Sequence, residues 1–211
     1  MSKITVIDHP LLHHKLAILR EASTPFPTFR RVLREMTWLL AYEATKHLNL
    51  EKHSIKTPLE EMTAHRLPSP SPCLISILRA GNGLVDGLMD VMPEAAVGHL
   101  GLVRNPQTLQ PEEYYCKLPA EIEKRQVILA DPMLATGGST IAAITRLREK
   151  GVTDLVFLCL LAAPEGVAAL QAAHPDVPIF TGALDRELNE KGYILPGLGD
   201  AGDRIYGTFD S

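Results

Sequence analysis

From residue 73 onward the chain alternates short apolar runs with stretches of helical periodicity, and this alternation leaves few folds open. The runs are Cys73–Leu78 (CLISIL), Val97–Val103, Val127–Ala130 (VILA), Leu155–Leu161 and Val177–Thr181. Near-continuous apolar runs of this length suit strands buried on both faces. Helical patterns lie between them at Gly83–Met92, Thr140–Lys150 and Glu165–Ala173, the first closed by Pro93 and the second by Gly151. Such alternation predicts an α/β fold with a central parallel sheet and helices on both faces.

The N-terminal third reads differently. Lys3–Pro10 is a short strand or extended arm, and Leu11–Arg20 is helical. A long helix follows Pro25 and Pro27, from Thr28 to His47, with Val32, Leu33, Met36, Leu39, Leu40 and Ala44 repeating along one face. Residues 49–72 form a loop or an irregular pair of strands. Residues 104–121 are polar and carry Pro106, Pro111 and Pro119, which predicts an excursion away from the sheet.

Composition narrows the class. The chain is 45% hydrophobic and 22% charged, the balance of a folded globular protein. Its longest apolar stretch, Leu155–Ala163, is too short to cross a bilayer, and the N-terminus does not read as a signal peptide. A net charge of -4 offers no basic surface for nucleic acid. Cys73, Cys116 and Cys159 are an odd set without CxxC spacing, which argues against a disulfide scaffold or zinc site and for a reducing cytoplasm. The 15 Gly and 16 Pro concentrate near 79–87, 131–138 and 192–207, where they punctuate particular loops.

The most informative unit is 127–140: an apolar strand, Asp131 at its end, the loop Ala135-Thr-Gly-Gly-Ser139, and a helix. Open parallel sheets bind ligands beyond the carboxyl ends of their strands. Gly137 and Gly138 permit close backbone approach, Thr136, Ser139 and Thr140 supply hydroxyls, and the helix N-terminus presents unpaired N–H groups: together, a phosphate cradle. Taken alone, Thr-Gly-Gly-Ser would serve equally well as a capped turn; the strand and Asp131 in front of it favour phosphate. No Gly-Lys pair is present for a Walker A loop, and Gly81, Gly83 and Gly87 miss the dinucleotide spacing by one residue.

Asp131–Ser139 resembles the phosphoribosyl-diphosphate (PRPP) loop of the uracil phosphoribosyltransferases, a branch of the type I phosphoribosyltransferases. Pro132 stands where the wider type I motif carries a second acid. Leu188–Thr208 resembles that family's uracil-binding segment, Arg79-Ala-Gly81 its pyrophosphate loop, and Arg104 its second diphosphate-contacting arginine. Segments 105–120 and 8–16 are also family-like, while Asn82 and Val103 replace residues usually more apolar and aromatic. The resemblance implies PRPP binding by Arg79, Arg104, Asp131, Pro132, Met133, Leu134, Ala135, Thr136, Gly137, Gly138, Ser139 and Asp200. It implies uracil binding, largely through main chain, by Ile194, Gly199, Asp200 and Ala201, with Asp200, Arg104 and Asp131 as catalytic residues.

What the resemblance implies for function is transfer of the 5-phosphoribosyl group from PRPP to N1 of uracil, giving UMP and pyrophosphate. It further implies Mg²⁺ held mainly by PRPP and water, a homodimer or higher oligomer, and in some members activation by GTP, for which no residue here marks a site. One domain over 1–211 is expected, its core at about 70–182 and a small hood from 1–27 and 183–211. Tyr114 and Tyr115 would be a flap over PRPP or a subunit contact. His13 and His14 read as structural histidines, Cys159 as core, and Trp38 as core or interface packing. Three rivals stay open: a purine or orotate phosphoribosyltransferase, an RNA-binding nucleotide sensor, and a non-catalytic ligand-binding relative.

Overall fold

The computed structural model describes residues 4–104 and 111–208. Strand β1 (Ile4–Val6) leads into α1 (Pro10–Arg20) and α2 (Phe26–Ala44), and a hairpin of β2 (Glu51–Lys56) and β3 (Glu61–Arg66) follows. Then come β4 (Cys73–Leu78), α3 (Asn82–Val91), β5 (Ala96–Arg104), β6 (Pro111–Lys117), β7 (Val127–Ala130), the two-residue β8 (Met133–Leu134) and α4 (Gly138–Glu149). The chain continues through β9 (Leu155–Ala162), α5 (Pro164–Ala173), β10 (Ile179–Leu184), the short pair β11 (Glu187–Leu188) and β12 (Ile194–Leu195), and α6 (Ala201–Tyr206).

The main sheet runs β1-β10-β9-β7-β4-β5-β6, with β8 also paired to β9. All its pairings are parallel except β5 with β6. Strand β9 shows why its apolar run has no polar side. Val156, Leu158 and Leu160 face the layer of α1, α2 and α3, while Phe157 and Cys159 face α4 and α5, so successive side chains enter opposite cores. The fold class read from the alternation is therefore the one observed.

The differences lie at the edges. Residues 111–117 do not leave the sheet: they return as β6, antiparallel to β5, with a register irregularity at Gly101/Leu102. Gly101 makes room for this, since a Cβ there would lie 2.6 Å from the ring of Tyr114. Tyr114 and Tyr115 are thus exposed residues of an edge strand, and 105–110 lie outside the described residues. Ile4–Val6 is a strand of the sheet, parallel to β10, where its main chain completes the edge. Segment 49–72 takes the form of the strand pair, exposed along nearly its whole length. Helix α2 starts at Phe26 because Pro27 fits the first helical turn, and its last turn tightens to a 3-10 helix at Thr45–His47. Trp38 is 45% exposed and its indole donates to Asp90 at 3.0 Å, so it is not core.

Strand order places the functional loops. Chain flow passes from β4 through α3 to β5 on one side, then returns to β7 on the other side of β4 and continues outward through β9 and β10. The order reverses between β4 and β7, and a crevice opens beyond the carboxyl ends of strands at such a reversal. Phe157, fully buried at the centre of β9, anchors the α4–α5 side of this frame. Phe157→Ala should lower the unfolding free energy by about 3–5 kcal/mol in urea denaturation.

Candidate active site

The residues that end β4 and β7 meet at the reversal. Arg79 follows β4 across a cis peptide, and Asp131 follows β7. Gly81 makes the meeting sterically feasible: a Cβ there would lie 2.5 Å from the Ala130 carbonyl oxygen and 2.6 Å from that of Ile77. Asn82 opens α3 with its side-chain oxygen accepting from the buried Ser76 hydroxyl at 2.8 Å, which accounts for a polar residue at that position.

Asp131 sits half-buried at the base of the crevice. Burial pushes its carboxyl up to about 7; a Met133 N–H at 3.4 Å works against the shift, and the Asp200 carboxylate adds to it. Pro132, Met133 and Leu134 are committed to the scaffold. The Pro132 carbonyl accepts from Leu160 and Leu161 at 2.9 and 3.0 Å, β8 pairs with β9, and the Leu134 side chain is fully buried. The open part of the loop is accordingly Ala135–Ser139. Gly137 takes φ +84, which only glycine adopts readily, and α4 begins at Gly138 with the exposed Thr136 and Ser139 beside its N-terminus.

Two close approaches hold this loop. A Cβ at Gly166, in the first turn of α5, would lie 2.2 Å from the Ala135 carbonyl oxygen. A Cβ at Gly192 would lie 3.6 Å from Thr136 Cγ2, so the C-terminal segment reaches the loop at van der Waals distance. That segment also meets Arg79. The Arg79 guanidinium, largely exposed, lies 3.5 Å from Asp203 and 5.8 Å from the centre of the Tyr206 ring, and Tyr206 Oη donates to the Arg79 carbonyl at 3.0 Å.

Ile194 is buried in β12, Gly199 takes φ +81, and Ala201 is buried at the start of α6. Asp200 caps that helix, its Oδ1 accepting from the Asp203 N–H at 2.9 Å. Arg79, Asp131, the 135–139 loop and Asp200 therefore gather around one crevice. Arg104 is the last residue of β5, on the strand adjoining β4, and its side chain lies outside what is described. His13 stays on the surface, its Nε2 2.7 Å from Asp8. Cys159 is core, its thiol pushed up to about 12 by burial.

Sequence reasoning missed three residues that shape the crevice. Arg20 and Asp185 form a bidentate ion pair against Gly197, and Arg204 donates to the carbonyls of Leu19, Glu21 and Leu198. Asp185 carried a usable signal, because it follows the apolar end of β10 as Asp131 follows β7.

Residues 6–208 match the family described as uracil phosphoribosyltransferase. The chain belongs to that family. The uracil phosphoribosyltransferase of Acidovorax ebreus strain TPSY is 56% identical over 208 residues, spanning 99% of this chain and 100% of that protein. Among solved structures, the AQ2163 protein of Aquifex aeolicus superposes with a TM-score of 0.93 at 37% identity, covering 99% of this chain and 100% of that one. The adenine phosphoribosyl transferase of Trypanosoma brucei, at 16% identity and a TM-score of 0.56 over 95% of this chain and 89% of its own, shares the fold.

Two tests follow from the geometry of this family member. Gly166→Ala should displace the 135–139 loop and lower the unfolding free energy by about 1–3 kcal/mol in urea denaturation, since the blocking atom is backbone. The raised carboxyl pKa of Asp131 means that folding favours its protonated form. Its contribution is therefore fully present below the ordinary carboxylate value of 3.8 and is lost as pH rises through about 7. Asp131→Asn should raise Tm at pH 8 by about 4–8 °C, roughly 2 kcal/mol, and the gain should vanish by about pH 4 in calorimetric scans.

Proposed function

We propose that this chain transfers the 5-phosphoribosyl group from PRPP to N1 of uracil, forming UMP and pyrophosphate, as a pentosyltransferase of pyrimidine salvage. The observation that carries the reading is the convergence on one crevice of a helix-N-terminal phosphate loop, an acid at the end of β7, an arginine at the end of β4 and a glycine-rich C-terminal segment. The 5′-phosphate sits on Ala135–Ser139 at the N-terminus of α4, where N–H groups and the helix dipole meet it. Asp131 accepts the ribose hydroxyls, and hydrogen bonds from them favour its charged form. Arg79 and Arg104 hold the diphosphate.

The C1′–oxygen bond to diphosphate breaks as the bond to N1 forms, with charge growing on the departing diphosphate and the ribose becoming cation-like. No enzyme nucleophile is required, and the chain's task is to position both substrates and stabilise the leaving group. Arg79 must exchange its Asp203 and Tyr206 contacts for diphosphate oxygens. The main chain around Ile194, Gly199 and Ala201 reads the edge of the base. Asp200 orients uracil and takes the N1 proton.

Mg²⁺ would be held mainly by PRPP and water, with the Asp131 carboxylate at the end of β7 a hard oxygen donor beside it. When bound, Mg²⁺ would supply positive charge to the departing diphosphate, beside that of Arg79 and Arg104. No described helix is long and apolar enough to cross a membrane. A cytoplasmic, homo-oligomeric enzyme accords with this reading, as do a single domain over 1–211 with a hood from about 1–27 and 183–211, and activation by GTP in the manner of some family members.

A panel of uracil, hypoxanthine, adenine and orotate with PRPP and Mg²⁺, followed by pyrophosphate release, tests the reading. Turnover with uracil alone is expected, and turnover confined to another base overturns it. Arg79→Ala, Arg104→Ala and Asp131→Asn should each lower kcat/KM by about 10²–10³ with far-UV circular dichroism unchanged.

A further inference from the structure

We infer that Arg20 and Asp185 are positioning residues for the base, holding the Gly197 turn and through it the main chain of Ile194–Ala201 in the shape that reads uracil. The inference rests on the reading of that segment as the base site. Asp185 lies just beyond β10, its side chain 5% exposed and its N–H bonded to the Ala162 carbonyl at 2.8 Å. Arg20 ends α1, whose Leu12 and Leu19 are fully buried in the core. Both members of the pair therefore grow from rigid elements.

The pair is a fork on a fork. Arg20 donates to Asp185 Oδ2 at 2.8 Å and to Oδ1 at 2.5 Å. The same Arg20 nitrogen that meets Oδ2 also donates to the Gly197 carbonyl at 2.7 Å, and Asp185 Oδ2 accepts the Gly197 N–H at 2.9 Å. Both main-chain groups of Gly197 are thus committed to the pair. Gly197 itself takes φ +60, with its would-be Cβ 2.1 Å from the Ile194 carbonyl oxygen, so the turn is tight and specific to glycine.

Arg204 acts on the other side of the turn. It takes the Leu198 carbonyl at 3.0 Å and holds α1 through Leu19 and Glu21 at 2.5 and 2.7 Å, over the face of Phe29. With the groups of Gly197 and the Leu198 carbonyl taken, what the segment can turn toward a planar base is narrowed to its flanks, Ile194 on one side and Gly199–Ala201 on the other. Arg20, Arg204, Gly197 and Asp200 line a common cavity of about 460 Å³. An apolar pair could fill the space between α1 and β10 with equal or greater stability, because burying ions is costly. What the ion pair adds is direction: it fixes where the carbonyl and N–H of Gly197 point.

The test is steady-state kinetics and Tm on the full chain with Arg20→Lys and Asp185→Asn. Arg20→Lys keeps the charge and loses the fork, while Asp185→Asn keeps an acceptor for the Gly197 N–H and loses the charge. Each is expected to raise KM for uracil about tenfold while KM for PRPP stays within about twofold, since displacement of a reading group costs affinity at that group alone. Arg20→Lys should recover most of the Tm lost in Arg20→Ala without recovering the uracil KM. A parallel rise in both KM values, or a lowered Tm with the uracil KM unchanged, overturns the assignment. A wild-type chain that turns over PRPP with another base and not with uracil overturns the base-site reading instead, and the assignment falls with it.

Discussion

Two loops can share the space beyond β4 and β7 only because Gly81 has no side chain. Its Cα lies against the Ala130 carbonyl and the backbone of Ile77, so any Cβ would push the Arg79 loop away from Asp131. At a strand-order reversal the loops leave in opposite directions, and the crevice between them is set by how closely their roots approach. That approach fixes the spacing between the cation at the end of one strand and the acid at the end of the other. Gly166 repeats the device on the far side of the 135–139 loop, where α5 rests on the Ala135 carbonyl.

The other half of the site is built differently. The C-terminal segment contributes only one pair of two-residue strands and a six-residue helix, too little to bury a core of its own. It is held by side chains that take main-chain groups: Arg20 and Asp185 at Gly197, Arg204 at Leu198, and Tyr206 at Arg79. These directional ties, all but that of Tyr206 from buried or half-buried groups, give a loop the rigidity that a strand gets from its ladder. Tyr206 and Asp203 also bring this segment onto Arg79, so it touches the loop that follows β4.

Legibility in the sequence followed burial. The strands of the core could be read because both of their faces are buried, which leaves an unbroken apolar run. Leu155–Ala162 is the clearest case, with every residue buried. Strand β6 could not be read in this way. Its residues are mostly exposed, and its place depends on the chain folding back to β5 and on Gly101 admitting the Tyr114 ring. The hairpin of β2 and β3 has almost no buried face, so no periodicity marks it. Within 131–139, local pattern showed where glycines and hydroxyls stand, but not that Leu134 points into the core and leaves only Ala135–Ser139 open.

The sequence by itself determined the parallel α/β class and the family, because the buried strands, the glycine-and-hydroxyl loop after Asp131 and the glycine-rich C-terminal segment are each written in a contiguous run of residues with its own period or punctuation. Only the tertiary structure decided which strand lies beside which, that burial lifts the Asp131 carboxyl toward neutrality, and that Arg20 closes on Asp185 from 165 residues away. The physical reason is the range of the interactions. Strand burial and helix caps are local and leave a local trace. Desolvation and a shared hydrogen-bond fork depend on what the rest of the chain brings alongside, and no window of sequence contains both partners.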